Sequence, residues 1–450
     1  MSNLKKYKKY LSEVPEFIFS ADKVFNSEYD KEKYSDSFHA VSAYVTSPVL
    51  TAYTMFILSE CVKRNIKRIY FMARDGKILF KIARVLCKKQ NIDIDCRYIY
   101  CSRASLRMPS YHIIGDEAFD ILLMNGFCLN AFNVLARAEL SENERIAVYN
   151  DIEFNSENEK KYFSREDFED FKARLKKSEV YKNIVMEKSE KSYKSAVSYF
   201  IQEGLTDGIS FAVADTGWTG SMQRSLGQIL SHHAGKNVTM TGFYFGMYSP
   251  PKSSEYGEYI SWYFSYNSSA GLMSKFNNNL FECMCCADHG MTKGYEEKNG
   301  TYVPVMNSQS ERNAELAIHQ MNCAEYFADV ISELYNVRNL NEFQLHTFTE
   351  KILSLFMYKP EKAEAEAFGE FTFCDDITEA YLLKLAEPNK NQEIKNSLFY
   401  ERVSAKLSGK RRKDELFWSY GTLALSDIEE KSWYRINLNL WERAKFLINR

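Results

Sequence analysis

The segment Asp215-Thr-Gly-Trp-Thr-Gly-Ser221 puts a carboxylate, three hydroxyls and two glycines within seven residues, directly after the apolar run Ile209-Ser-Phe-Ala-Val-Ala214. Gly217 and Gly220 let backbone N–H groups converge, and Thr219 and Ser221 add hydroxyl donors. The N-terminus of the helix expected at Met222–His232 contributes about half a positive charge. Such a loop suits a phosphate, with Asp215 placed to hold sugar hydroxyls or a metal-bound water. An ordinary strand-to-helix turn with Ser221 as its cap is the competing reading. The segment is neither a P-loop, since no Gly-Lys-Ser/Thr occurs, nor a Rossmann fingerprint.

A second loop, Arg74-Asp75-Gly76, follows the β-rich run Arg68–Ala73 and opens a helix over Lys77–Lys89. Its fixed charge is positive, so a strand-terminal Arg beside a glycine turn suits a second anionic group such as pyrophosphate. A surface ion pair of Arg74 is the simpler account of this loop taken alone. A helix over Ser42–Arg64, these runs, and further strands at Arg97–Cys101 and Val238–Tyr248 predict a parallel α/β sheet with right-handed crossovers. Two anion loops at the carboxyl ends of its strands would share one crevice. Arg103, just after the second strand, can reach the same place.

Composition limits the function classes. The 450 residues carry 58 Lys and Arg against 60 Asp and Glu, a net charge of −2, so no global positive field recruits nucleic acid. With 45% hydrophobic and 26% charged residues the chain reads as soluble and globular. The 30 Tyr and 31 Phe read first as packing and second as sugar-stacking platforms. The longest apolar stretch, Pro48–Leu58, is too short to span a bilayer. The lysines at 5, 6, 8 and 9 lead into Glu13, Pro15 and Glu16 rather than an apolar leader, which predicts a cytoplasmic protein. Cys283, Cys285 and Cys286 with His289 lack a second paired set, and read as buried free thiols. The basic run Lys406, Lys410, Arg411, Arg412 and Lys413 reads as a solvated face, with anionic lipid at the inner membrane face as the alternative. Asp93-Ile-Asp95 imitates a phosphatase motif but precedes a strand, so no built-in phosphatase is expected.

Taken together, the two loops resemble those of type I phosphoribosyltransferases, whose substrate is phosphoribosyl pyrophosphate (PRPP). More narrowly, Tyr70-Phe-Met-Ala-Arg-Asp-Gly76, Tyr100-Cys-Ser-Arg103, Asp215–Ser221 and Phe281-Glu282 through His289-Gly290 are similar to ribofuranose-adding phosphoribosyltransferases of bacterial polysaccharide clusters. The resemblance spans most of 40–300. Ala214 stands where the first of two acidic residues is usual, the loop is one residue shorter, and an insertion separates the two loops. These departures count against nucleobase salvage.

The resemblance implies a reaction in which an acceptor hydroxyl displaces pyrophosphate from ribose C1. Arg74, the Gly76 amide and Mg²⁺ on Asp75 and Asp215 would hold pyrophosphate, with Arg103 as a further anion partner. Thr216, Gly217, Trp218, Thr219, Gly220 and Ser221 would bind PRPP, the last residues gripping its 5-phosphate. Asp75, Glu282 and His289 are the candidate bases for the acceptor, and Asp288-His289-Gly290 reads equally well as a turn with a structural His. Expected partners are a carbohydrate acceptor, free or lipid-linked, a separate haloacid-dehalogenase-type phosphatase and glycosyltransferases. A non-catalytic PRPP- or nucleotide-sensing module of a glycan-synthesis complex is the alternative. The chain divides into 1–105 with the first half of the core, a helical insertion at 106–204, a second half of the core at 205–305 with residues 254–300 as covering loops, and a helical region at 306–450.

Overall fold

The computed structural model describes residues 2–125, 129–373, 383–407 and 416–448. Five strands, Arg68–Met72 (β1), Asp95–Ile99 (β2), Phe211–Asp215 (β3), Met240–Gly246 (β4) and Gly257–Phe264 (β5), form one parallel sheet in the order β2-β1-β3-β4-β5. This is a doubly wound arrangement in which the chain reverses direction across the sheet between β1 and β3.

The central strands β1 and β3 form on nearly continuous apolar runs, as expected for strands covered on both faces. Alternate side chains then enter different cores. Ile69, Phe71, Ala212, Ala214, Phe243 and Phe245 join a large core that also holds the N-terminal helices and those after 310. Tyr70, Met72, Phe211, Val213 and Met240 join a second core against the helices Glu179–Gln202 and Ser221–Ala234. Arg68, 4% exposed, fastens the start of β1 through Asp95 at 2.7 Å and Asp207 at 2.6 Å. Asp95, the second carboxylate of the phosphatase-like triplet, is therefore a structural ion-pair partner.

Between β2 and β3 lies a helical segment with a core of its own, from Met108 to Val185. Two of its helices start at the capping boxes legible in the sequence, Ser141 with Glu144 and Ser164 with Asp167. Its first helix, Arg103–Ile114, is capped by Ser102. The helical run Asp36–Lys63 is long and apolar enough to cross a bilayer, yet its most apolar stretch is wholly buried in the fold. The basic positions 410–413 lie outside the described residues.

Residues 254–300 are not the covering loops that their Gly, Ser and Asn content predicts. They contain β5, the helix Asn278–Cys285 and a strand, Thr292–Lys298 (β6), paired antiparallel with Thr301–Met306 (β7). Gly257, Glu258 and Ser261 mask the strand pattern of β5, while Trp262, Tyr263 and Phe264 bury into the large core. Two further elements shift slightly. β2 begins at Asp95 rather than Arg97, and β3 ends on Asp215 itself.

Gly76 takes a different role from the one the sequence suggests. It opens the helix Gly76–Lys89, and a Cβ there would lie 2.8 Å from the Phe71 carbonyl carbon, so a bare Cα is what lets this helix seat on β1. Gly76→Ala should cost about 1–3 kcal/mol through overpacking, read as a lower denaturation midpoint at unchanged slope. An unchanged midpoint would show that the helix seats without this contact.

Candidate active site

β1 and β3 are neighbours, so the loops that follow them emerge side by side at the switch point of the sheet. The Thr216 hydroxyl donates to Asp75 Oδ2 at 2.6 Å, joining the two loops across 141 residues of sequence. The loop after β3 is tied further: the Thr216 N–H donates to Asp215 Oδ1 at 2.8 Å, Tyr53 donates to the Asp215 carbonyl at 2.9 Å, and the Gly246 and Tyr248 amides donate to the Thr216 and Trp218 carbonyls. The Trp218 indole N–H donates to Glu282 Oε1 at 2.8 Å. That bond brings the helix Asn278–Cys285 to the same place.

Both glycines of this loop are required by its geometry. At Gly217 a Cβ would sit 2.4 Å from the Gly246 carbonyl oxygen. Gly220 has φ +67°, and a Cβ there would meet the Tyr259 ring at 2.5 Å. Gly220, not Ser221, is the N-cap of the helix Ser221–Ala234, and no side chain caps it. The first amides of that helix are thus left to an incoming acceptor.

These elements enclose a cleft of about 490 Å³. Of the residues singled out from sequence, Arg74, Asp75, Arg103, Asp215, Glu282 and the whole run Thr216–Ser221 line it; Gly76 and His289 do not. His289 has both ring nitrogens engaged outside the cleft, Nε2 with the Tyr98 hydroxyl at 2.8 Å and Nδ1 with the Gly290 carbonyl at 2.9 Å, and so does not serve as the base expected from sequence. Cys283 and Cys285 are buried, and burial pushes both thiols well above their ordinary range, so they are inert packing groups.

Arg107, Arg224, Lys252 and Asn278 are among the cleft residues that escaped sequence reading. Arg107 stands one helical turn beyond Arg103 and shares its face. Burial, then repulsion from Arg103, Arg224 and Arg137, outweighs the opposing pull of Tyr111 and lowers its pKa. Arg224 and Lys252 pair with Glu117 of the insertion at 2.9 Å and 3.7 Å. Asn278 adds an amide beside Glu282. The only available signal was the i, i+4 spacing of Arg103 and Arg107. Five cations thus line a cleft with three carboxylates, which favours an anionic ligand.

The carboxylates repel one another. Burial, followed by the charges of Asp75 and Glu282, pushes Asp215 up to about 8. Burial and Asp75 raise Glu282 to about 7, against Arg103 and the Trp218 bond. Burial also raises Asp75, against the Thr216 hydrogen bond and the charges of Arg74 and Arg103. Asp75, Asp215 and Glu282 do not form a closed three-ligand cage: among the described residues only His39, His319 and Cys323 bring their ligand atoms within 4.8 Å of one another.

The raised pKa values fix the sign of a pH effect. A carboxyl group whose folded pKa exceeds its unfolded value of about 4 stabilises the fold fully below that pH and loses the contribution as pH rises through the folded value. Glu282 and Asp215 should therefore contribute a fall in the thermal midpoint between about pH 4 and about pH 8. Asp215→Asn should flatten that fall. Equal slopes for parent and variant would mean that Asp215 ionises without penalty.

No protein-family model and no curated protein matches this chain, and the chemistry of the cleft is carried by its own residues.

Proposed function

We propose that this chain is a PRPP-dependent phosphoribosyltransferase, transferring 5-phosphoribosyl to a sugar hydroxyl of a polysaccharide or glycolipid intermediate and releasing pyrophosphate. The observation that carries this reading is the Thr216–Asp75 hydrogen bond, which sets an uncapped helix N-terminus and a strand-terminal Arg on the two sides of one cleft. A ligand with phosphate at one end and pyrophosphate at the other suits both sides. The carbohydrate acceptor rests on the motif resemblance alone.

In this reading the Gly220 loop and the first amides of the helix Ser221–Ala234 hold the 5-phosphate, with Ser221 and Thr219 adding hydroxyls. Arg74, Arg103 and Arg107 face the pyrophosphate. Asp215 orients the ribose hydroxyls beside C1. The C1–O bond to pyrophosphate breaks ahead of bond formation, and the electron pair leaves with pyrophosphate. The acceptor oxygen then bonds to C1 and its proton passes to Glu282. Glu282 suits that task, because its pKa of about 7 matches a general base near neutral pH and the Trp218 N–H fixes one oxygen, leaving the other for the acceptor.

The carboxylates also suit a divalent cation. The cost of ionising Asp215 beside Asp75 is one that a cation removes. Mg²⁺ takes one or two protein carboxylates and completes its shell with substrate phosphates, so Asp75 and Asp215 would hold it without a third ligand. When bound it neutralises charge on the departing pyrophosphate.

Two measurements test the reading. In calorimetry, Arg107→Gln should weaken PRPP binding by about 1.5–3 kcal/mol, the scale of a hydrogen bond to a charged group, and Gly220→Val should abolish it by crowding Tyr259. Unchanged affinity in both would remove PRPP from the cleft. In turnover assays with PRPP, Mg²⁺ and glycan acceptors, acceptor-dependent pyrophosphate release is expected, and Asp215→Asn should lose more than about a hundredfold. Nothing in the cleft acts on the 5-position, so mass spectrometry should find a phosphopentosyl acceptor that a separate phosphomonoesterase converts to the ribosyl form. Tight PRPP binding with no acceptor-dependent release would favour the sensing module instead.

A further inference from the structure

Away from the cleft, His39, His319 and Cys323 meet inside the protein, each less than a tenth exposed. His319 and Cys323 are one turn apart on the helix Glu311–Ser332, and His39 arrives from the helix Asp36–Val41. His39 Nδ1 lies 3.1 Å from His319 Nε2, and Cys323 Sγ lies 3.9 Å and 3.6 Å from those two atoms. These separations are close to the edges of a zinc tetrahedron. Metal–nitrogen bonds of about 2.0–2.1 Å and a metal–sulfur bond of about 2.3 Å give edges of about 3.3 Å between nitrogens and about 3.6 Å from nitrogen to sulfur.

The surroundings fix the rings as a metal site requires. His39 Nε2 donates to the Phe25 carbonyl at 3.1 Å, which puts the proton there and turns the lone pair of Nδ1 toward the cluster. Tyr29 stacks on His39 with centroids 3.9 Å apart, and Tyr34 stacks on His319 at 4.1 Å. A cavity of about 230 Å³ opens beside the three side chains, and Glu28, Asp30 and Asn322 give it polar walls. None of its lining residues lines the cleft, so this site stands independently of the phosphoribosyl reading.

We infer that His39, His319 and Cys323 bind one Zn²⁺ ion, leaving its fourth position to water from the adjacent cavity. One thiolate and two imidazoles select zinc over magnesium or calcium, which take oxygen donors. The ion would join the helix Asp36–Val41 to the helix Glu311–Ser332, whose His residues are 280 positions apart in the chain. The competing account is a plain hydrogen bond, in which the Nε2–H of His319 donates to His39 and Cys323 merely packs.

The test is Co²⁺ and Zn²⁺ loading of the full chain after chelation. Co²⁺ should bind at one equivalent and give tetrahedral d–d bands with a thiolate-to-metal charge-transfer band, and Cys323→Ser should lose that band while Cys286→Ser keeps it. X-ray absorption of the zinc-loaded parent should find one sulfur at about 2.3 Å and two imidazole nitrogens at about 2.0–2.1 Å, which decides the matter even if the variant fails to fold. Failure to bind either metal, a shell without sulfur, or a charge-transfer band retained in Cys323→Ser would overturn the assignment and leave the hydrogen bond.

Discussion

The hydrogen bond from Thr216 to Asp75 joins the ends of two adjacent parallel strands, and the architecture of the cleft follows from it. A parallel sheet delivers every strand end to the same edge, so neighbours in space can lie far apart in sequence. That edge is also where backbone donors collect at helix N-termini. Fastening Asp75 to the β3 loop keeps Arg74 and the unoccupied amides after Gly220 at fixed separation. The arrangement lines one cleft with both carboxylates and guanidinium groups. The carboxylates oppose one another's ionisation, while the cations attract anions. An anionic ligand that brings its own cation relieves both tensions together.

What the sequence could reveal follows from the range of each signal. β1, β3 and the loops after them are local patterns: an apolar run, a charged residue at its end, then glycines. They were legible because a strand covered on both faces needs no partner to declare itself. The capping boxes at Ser141 and Ser164 were legible for the same reason. β5 was not, since an edge strand that starts with Gly257 and Glu258 looks polar until Trp262 and Phe264 are seen to enter a core. Arg107, Arg224, Lys252 and Asn278 were missed because their meaning is tertiary. Each lies in a segment whose local pattern says only helix or loop.

His289 and Gly76 show the opposite error. A histidine beside a glycine reads as chemistry, but a ring with both nitrogens committed cannot shuttle a proton to a ligand. Gly76 reads as a ligand-facing amide, yet its missing side chain is needed against Phe71. In both cases residue type was a fair guide to importance and a poor guide to role, because packing consumes the same polar atoms and the same small residues that sites use.

The helical insertion between β2 and β3 has its own core, so it adds a wall to the cleft without disturbing the sheet beneath. Arg107 comes from its first helix, and Glu117 holds Arg224 and Lys252 from outside. These contacts make the positive rim a shared product of insertion and sheet. The sheet alone would offer Arg74 and an open helix terminus, enough for one phosphate. Adding Arg103 and Arg107 on one helical face extends the positive surface along the cleft. The cleft can then hold a longer polyanion than the sheet alone would.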